Sequence, residues 1–257
     1  MESNQTRVRH LFPVREYFRK RIYSPSGWSG AGCVYEMFSE EVFMEEIRME
    51  TWDRREHFEF FLRNDLPFYN VNFNADITGL REYAKGASVS LSAALIYLVT
   101  KSLNMVPNFL YRVLGGKVVR YERLHPQFTC LRGDEELFRL ISVEFCDDLA
   151  EFDRSVKRAI EESDAYFNVG MLAHRSDFVF ISSLPWIPFT GIDHTLSLNK
   201  EDAIPRVSWG RFFEQEGRTL LPCNIRVNHI FIDGLHVGRF YETFQEETRR
   251  LADSSAR

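Results

Sequence analysis

The residues best suited to chemistry lie late in the chain, in Val227 to Gly238, VNHIFIDGLHVG. His229 stands near the end of an apolar run that reads as a strand, and Asp233-Gly234 reads as a turn into a final helix. A strand ending in His-x-x-x-Asp-Gly sets an imidazole at the rim of a sheet, and the glycine lets the chain reverse close beside it. Imidazole titrates near neutrality, so it can take a proton from an incoming hydroxyl and later return it. On spacing alone two readings stand, a catalytic base or a satisfied core histidine. Asp233, four residues on, is expected to brace the loop through an ion pair rather than act as a second catalyst.

Other chemistries find less support. The seven histidines include no H-x-H or H-x-x-x-H pair, so no metal is expected, and His236 reads as a surface or packing residue of the last helix. Cys33, Cys130, Cys146 and Cys223 lie far apart without a C-x-x-C, which points to buried thiols rather than a zinc ribbon or redox pair. Gly115-Gly116 is a hairpin signal, and no glycine-rich phosphate loop is present. With 32 Lys and Arg against 37 Asp and Glu, the formal charge is -5, which makes nucleic acid a poor electrostatic partner. No apolar run approaches the roughly 20 residues of a membrane span. The first residues, MESNQTRVRH, lack a signal-peptide core, so a soluble cytoplasmic protein with no membrane partner is expected.

The elements that must position His229 follow from patterning. At 257 residues, 44% hydrophobic and 27% charged, the chain can bury a large core, and 14% aromatics suffice for that core and an apolar pocket or subunit interface besides. Helices are predicted over Leu91 to Val106, stopped by Pro107, over Asp147 to Tyr166, with Leu149, Phe152, Val156 and Ile160 on one stripe, and over Leu235 to Leu251. Strands are predicted at Phe68 to Phe73, in both arms of Tyr111 to Val119, and at Phe128 to Arg132, Ile141 to Phe145, Phe178 to Ser182, His194 to Leu198, Arg206 to Phe213 and Asn224 to Phe231. Arg54 to Leu62 fits a half-buried strand or a short helix. Residues 1–50, with a Gly/Ser-rich stretch between a basic and an acidic one, are expected to form an amino-terminal extension packed on a main domain of 51–257. Strands and helices in this order predict an α+β fold with a mixed sheet and helices on one side.

NHIFIDGLHVGRF is similar to the His-x-x-x-Asp-Gly signature of the chloramphenicol acetyltransferases, shared more loosely with dihydrolipoamide acyltransferases and peptide-synthetase condensation domains. Trp52 to Phe61, Asp76 to Thr78, Ile96 to Asn104, His125 to Thr129, Ile181 to Trp186 and Leu220 to Gly238 resemble that family in the same order, so the likeness spans about residues 51 to 250. The resemblance implies an α+β two-layer sandwich. It makes His229 the general base, Ser182 the hydroxyl that hydrogen-bonds the tetrahedral oxyanion, and Asp233 with Arg54 a structural ion pair supporting the site. Acetyl-CoA is implied as co-substrate, entering by a tunnel and handing its acyl group directly to a small-molecule hydroxyl, without metal and without a serine or cysteine nucleophile. A homotrimer is implied, with His229 of one subunit facing the acceptor pocket of the next.

That pocket is expected to include Phe60, Phe61, His194, Leu196, Arg206 and Ser208. Here the chain departs from its relatives. Asn228 stands where a second histidine is usual, Ser208 where a threonine is common, Phe61 where a tyrosine is common, and His194 and Arg206 at usually apolar positions. Such groups disfavour an apolar nitrophenyl acceptor and favour a polar or anionic one, unless Arg206 turns outward to pair with Glu201 or Asp202. The function expected is O-acetylation of an antibiotic or a metabolite. The alternatives are a biosynthetic acyltransferase acting on a carrier-bound or amine acceptor, and a catalytically silent binding homologue.

Overall fold

The computed structural model describes residues 42–167, 175–195 and 198–254. In chain order the elements are β1 (Met44–Glu46), α1 (Arg55–Phe61), β2 (Phe68–Asp76), α2 (Leu80–Gly86), α3 (Leu91–Asn104), β3 (Tyr111–Leu114), β4 (Lys117–Tyr121), β5 (His125–Cys130) and β6 (Arg139–Ser142). Then follow α4 (Leu149–Glu161), β7 (Phe178–Leu184), β8 (Arg206–Gly210), β9 (Phe213–Gln215), β10 (Arg218–Asn228) and α5 (Gly234–Ser254).

Local chemistry sets several of these boundaries. Ser90 caps α3 by accepting the Ala93 N–H, and Asp148 caps α4 by accepting the Glu151 N–H at 2.7 Å. Helix α3 buries ten of its residues and so is a core helix, whereas α4 buries the stripe of Leu149, Phe152 and Val156 and is amphipathic. The β3–β4 turn uses Gly115 and Gly116 at φ 62° and 77°, a conformation that side chains resist. The ambiguous stretch after Arg54 is the helix α1, which buries Phe58 among the rings of Trp52 and Phe231.

Among the described residues, seven strands form the main sheet in the order β2-β10-β8-β7-β5-β6, with β9 pairing on β10; β1, β4 and β3 form a smaller sheet. Strands β5, β7 and β8 run parallel and the remaining pairs antiparallel, so the main sheet is mixed. Buried Arg112 joins the two sheets. It donates to the carbonyls of Ser176 (2.7 Å) and Phe178 (2.9 Å) beside β7 and to those of Phe109 and Tyr111 at the start of β3. Burial pushes its pKa down to about 10, which leaves it charged at neutral pH.

Register sorts the main sheet into two unlike faces, because successive side chains of a strand point to opposite sides. One face carries Val71, Phe73 and Ala75 of β2, Cys223, Ile225 and Val227 of β10, Val207 and Trp209 of β8, Val179 and Ile181 of β7 and Phe128 of β5, all part of the hydrophobic core or packed on it. Helix α5 packs here through Phe240 against Phe73, and α3 and α4 meet through Tyr97 and Phe152. The other face presents rows of polar groups. Asn72, Asn224, Ser208 and Ser182 lie side by side across four strands, and Asn70, Arg226 and Arg206 form the next row. The molecule is an α+β two-layer sandwich, the α+β class being expected from the order of its elements and the sandwich from the resemblance. No single helix among the described residues is long and apolar enough to cross a membrane.

The strand expected at His194 to Leu198 is not formed. His194 and Thr195 lie in an irregular segment between β7 and β8, and 196–197 fall outside the described residues. That segment crosses the polar face instead of joining a ladder. Asn224 Nδ2 donates to the Ile192 carbonyl and Asn228 Nδ2 to those of Lys200 and Asp202, while Arg226 pairs with Asp193.

Candidate active site

The His-x-x-x-Asp-Gly loop leaves β10 at Asn228, which pairs in register with Phe68 of β2, and the His229 N–H then donates to the Pro67 carbonyl at 2.7 Å. Asn228 begins the turn by accepting the Ile230 N–H on Oδ1 at 3.0 Å. Side chains from elsewhere take each of the next four carbonyls. Arg54 donates to those of His229 and Ile230, Asn108 to that of Phe231 and Tyr69 to that of Ile232. Arg54 also grips both oxygens of Asp233, at 2.5 and 2.6 Å, in the forked geometry that guanidinium and carboxylate share. That grip holds the Asp233 carboxyl below the usual carboxylate range. His236 completes the clamp from α5. Its Nδ1 accepts the Asp233 N–H at 2.9 Å, which puts its proton on Nε2, and burial lowers its pKa.

The imidazole of His229 is fixed as firmly as its backbone. It lies flat on Phe61, with ring centres 3.8 Å apart and planes 9° apart, and Tyr69 leans on it at 4.8 Å. Its Nδ1 is buried 3.2 Å from Asp233 Oδ1, out of line for a hydrogen bond, while about a third of the side chain (34%) remains exposed. The exposed part of the side chain therefore lies away from Nδ1. Phe60, edge-on to Phe61, is 63% exposed beside it.

Ser182 belongs to the polar face. Its hydroxyl lies 3.3 Å from Thr129 Oγ1 on β5 and in register with Ser208 on β8. Ser208 is fully buried under His194, whose Nε2 is 3.2 Å from Ser208 Oγ. Burial, together with Arg206 and Arg226, lowers the His194 pKa and keeps it neutral at pH 7. Arg206 pairs with Asp202 at 2.7 Å, donates to the Ile204 carbonyl and lies over the Phe180 ring. Its charge is thus spent within the segment, on one of the two acids that the sequence offered. Leu196 lies outside the described residues. Among the described residues, no three His, Cys, Asp or Glu side chains gather as a metal site.

The structure brings together Arg54, Phe60, Phe61, His229 and Asp233 as one cluster, and Ser182, His194, Arg206 and Ser208 as another. It does not bring the clusters to each other within one chain. Asn224 is in register with Ser208, and Ser208 with Ser182, while His229 lies five residues beyond Asn224. At about 3.4 Å per residue and about 4.8 Å per strand, Ser182 and His229 stand on the order of 20 Å apart. Sequence reasoning missed Tyr69, Asn108 and Thr129, and read His236 as merely a surface or packing residue. Only Asn228 carried a local signal, an Asn at a strand end that can close a turn two residues on.

The mixed sheet with one polar face, and the His-x-x-x-Asp-Gly loop clamped at its rim, are the architecture of an acyltransferase. Solved structures share it. A chloramphenicol acetyltransferase superposes with a TM-score of 0.74 at 24% identity, covering 79% of this chain and 99% of that one. The cubic core of the pyruvate dehydrogenase multienzyme complex superposes at 0.55 and 21% identity, covering 78% and 87%. Among curated relatives, the chloramphenicol acetyltransferase of Bacillus pumilus is 30% identical over 194 residues, 75% of this chain and 88% of its own. Chloramphenicol acetyltransferase 2 of Haemophilus influenzae is 28% identical over 202 residues, 77% and 94%. A family model described as chloramphenicol acetyltransferase matches residues 42–245, and the chain belongs to that family.

Proposed function

We propose that the protein transfers an acetyl group from acetyl-CoA to a hydroxyl of a small molecule, with His229 as general base. Its Nε2 takes the proton of the acceptor hydroxyl as the oxygen attacks the thioester carbonyl. The Ser182 hydroxyl donates to the oxyanion of the tetrahedral intermediate. Collapse breaks the C–S bond, and the imidazolium returns its proton to the departing thiolate, so no group remains on the protein.

The observation that carries this assignment is the confinement of His229. With Nδ1 buried, the ring held flat on Phe61 and its backbone clamped by Arg54, Nε2 is the nitrogen left to exchange a proton, and transfer there needs little reorganisation. Arg54, Asp233, Tyr69 and Asn108 act as positioning residues.

The distance between His229 and Ser182 leads to the quaternary proposal. A base and an oxyanion donor must both lie within about 3 Å of the reacting atoms. Two clusters on the order of 20 Å apart meet that condition only when His229 of one copy faces Ser182 of another, and a closed ring of three copies makes three equal sites. Residues 1–50 are assigned as an extension of this domain; their last part supplies β1, which pairs with β4.

The test is release of free CoA in the presence of an alcohol. His229→Ala is expected to lower the rate about 10²- to 10⁴-fold and Ser182→Ala about 10²- to 10³-fold, with assembly unchanged in both. Full activity of the His229 variant overturns the assignment.

A further inference from the structure

The nature of the acceptor follows from which wall of the site it must touch, and the argument rests on the role proposed for Ser182. If that hydroxyl meets the oxyanion, the attacking oxygen lies one bond from the same carbon, and the body of the acceptor lies against the neighbours of Ser182 on the polar face. Those neighbours are Thr129 Oγ1 at 3.3 Å, Ser208 bridged to His194 Nε2, and Phe180 under the paired Arg206. Deeper on the same face, the buried oxygen Gln127 Oε1 has no donor among the described residues, and Asn224 lies beside the His194 ring. A face with an acceptor oxygen to spare calls for O–H groups, from water or from a ligand continuing the water network.

Charge narrows the class further. Arg206 is neutralised by Asp202, and Arg226 by Asp193. His194 is surrounded by Arg206, Arg226 and Asp193, with Ser208 and Asn224 beside it, and stays neutral. Among the described residues, no uncompensated charge is left on this wall to hold an anion or a cation. The opposite wall, brought by the copy that supplies His229, is aromatic, with Phe60 exposed and Phe61 flat against the base.

We propose that the acceptor is a neutral, polyhydroxylated, ring-shaped alcohol of the sugar class, its C–H face on Phe60 and its hydroxyl edge on Thr129 and on His194, which Ser208 holds from beneath. An apolar aryl alcohol would strip water from these groups and return no hydrogen bonds. Each buried polar group left unpaired in that way costs about 1–3 kcal/mol, or about 5- to 150-fold in affinity.

The experiment measures CoA release from acetyl-CoA with three probes: methyl glucoside, glucose 6-phosphate and p-nitrobenzyl alcohol. Methyl glucoside is expected to show kcat/KM at least about tenfold above either other probe. Thr129→Val and His194→Leu are each expected to lower that preference about tenfold with the thermal unfolding midpoint and far-UV circular dichroism unchanged, which separates a lost contact from a lost fold. Preference for p-nitrobenzyl alcohol or for the phosphate overturns the acceptor class while leaving the acetyltransferase assignment intact. Release of CoA with none of the three overturns both.

Discussion

The two faces of the main sheet are made by the same strands and obey opposite rules. Trp209 and Ser208 are neighbours on β8, yet Trp209 fills the core beneath the helices while Ser208 bonds His194 in the segment above. Under the helices, stability comes from removing apolar area from water and from close packing, which is indifferent to which apolar group fills a space of given shape. On the polar face, each group must find its own partner at the right angle, because a buried polar atom without one is destabilising. The first face makes the sheet rigid. The second can be specific, since a hydrogen-bonding surface rejects what cannot answer it.

The largest expected effect that tests this contrast is on the packed face. Trp209→Ala should lower unfolding stability by about 3–5 kcal/mol, read by denaturant titration, while the kcat/KM of the protein that remains folded stays near wild type. Ser208→Ala, one residue away, should lower stability by only about 1 kcal/mol yet change acceptor preference. Equal losses of stability at the two positions would break the comparison.

At the rim where the faces meet, Arg54→Ala leaves the Asp233 carboxylate and the carbonyls of His229 and Ile230 without their partner. It should lower stability by about 3 kcal/mol and lower kcat with it, whereas Arg54→Lys, which cannot fork, should recover part of the stability and less of the rate.

Complementation sharpens the proposed meeting of one copy's rim with another's polar face. Variants His229→Ala and Ser182→Ala, each inactive alone, should regain about a quarter of wild-type activity when co-assembled in equal amounts, because three-quarters of random trimers then hold one intact site of three. Activity that stays at the level of the single variants would require both residues to act within one chain.

The smallest effect is expected with pH. The folded pKa values of His236 and Asp233 are both depressed, so both contribute stability that is present above their unfolded values and lost as pH falls. For His236 the unfolded chain takes up the proton first as pH drops below about 6.5. Resistance to thermal unfolding should therefore fall from pH 7 to pH 5, and His236→Gln should show a shallower slope. His125 and His194 are depressed by burial in the same sense and leave a residual slope in that variant.

Local signals explain what could be read from the sequence. Gly115-Gly116 demands a tight reversal whatever surrounds it, and the stripe of Leu149, Phe152 and Val156 has helical spacing and nothing else to be. The loop at His229 is legible for the same reason, since its turn and glycine act within a few residues. The segment at His194 misled because alternation along a chain is necessary for a strand but not sufficient. Asp193 binds Asn70 and Arg226, and His194 binds Ser208, and these tertiary bonds draw the segment across the sheet away from any ladder. Tyr69 and Asn108 stand 163 and 123 positions from the carbonyls they hold, beyond the reach of any motif. Legibility faded where a residue acts through a distant partner.

Arg112 ties the folding of the small sheet to that of the large one. Peeling the β3–β4 hairpin away would strand a buried cation whose four bonds all run to backbone oxygens on both sides of the seam. The hairpin should therefore open only when the whole domain does, and its amide protons should exchange with deuterium as slowly as those of β7.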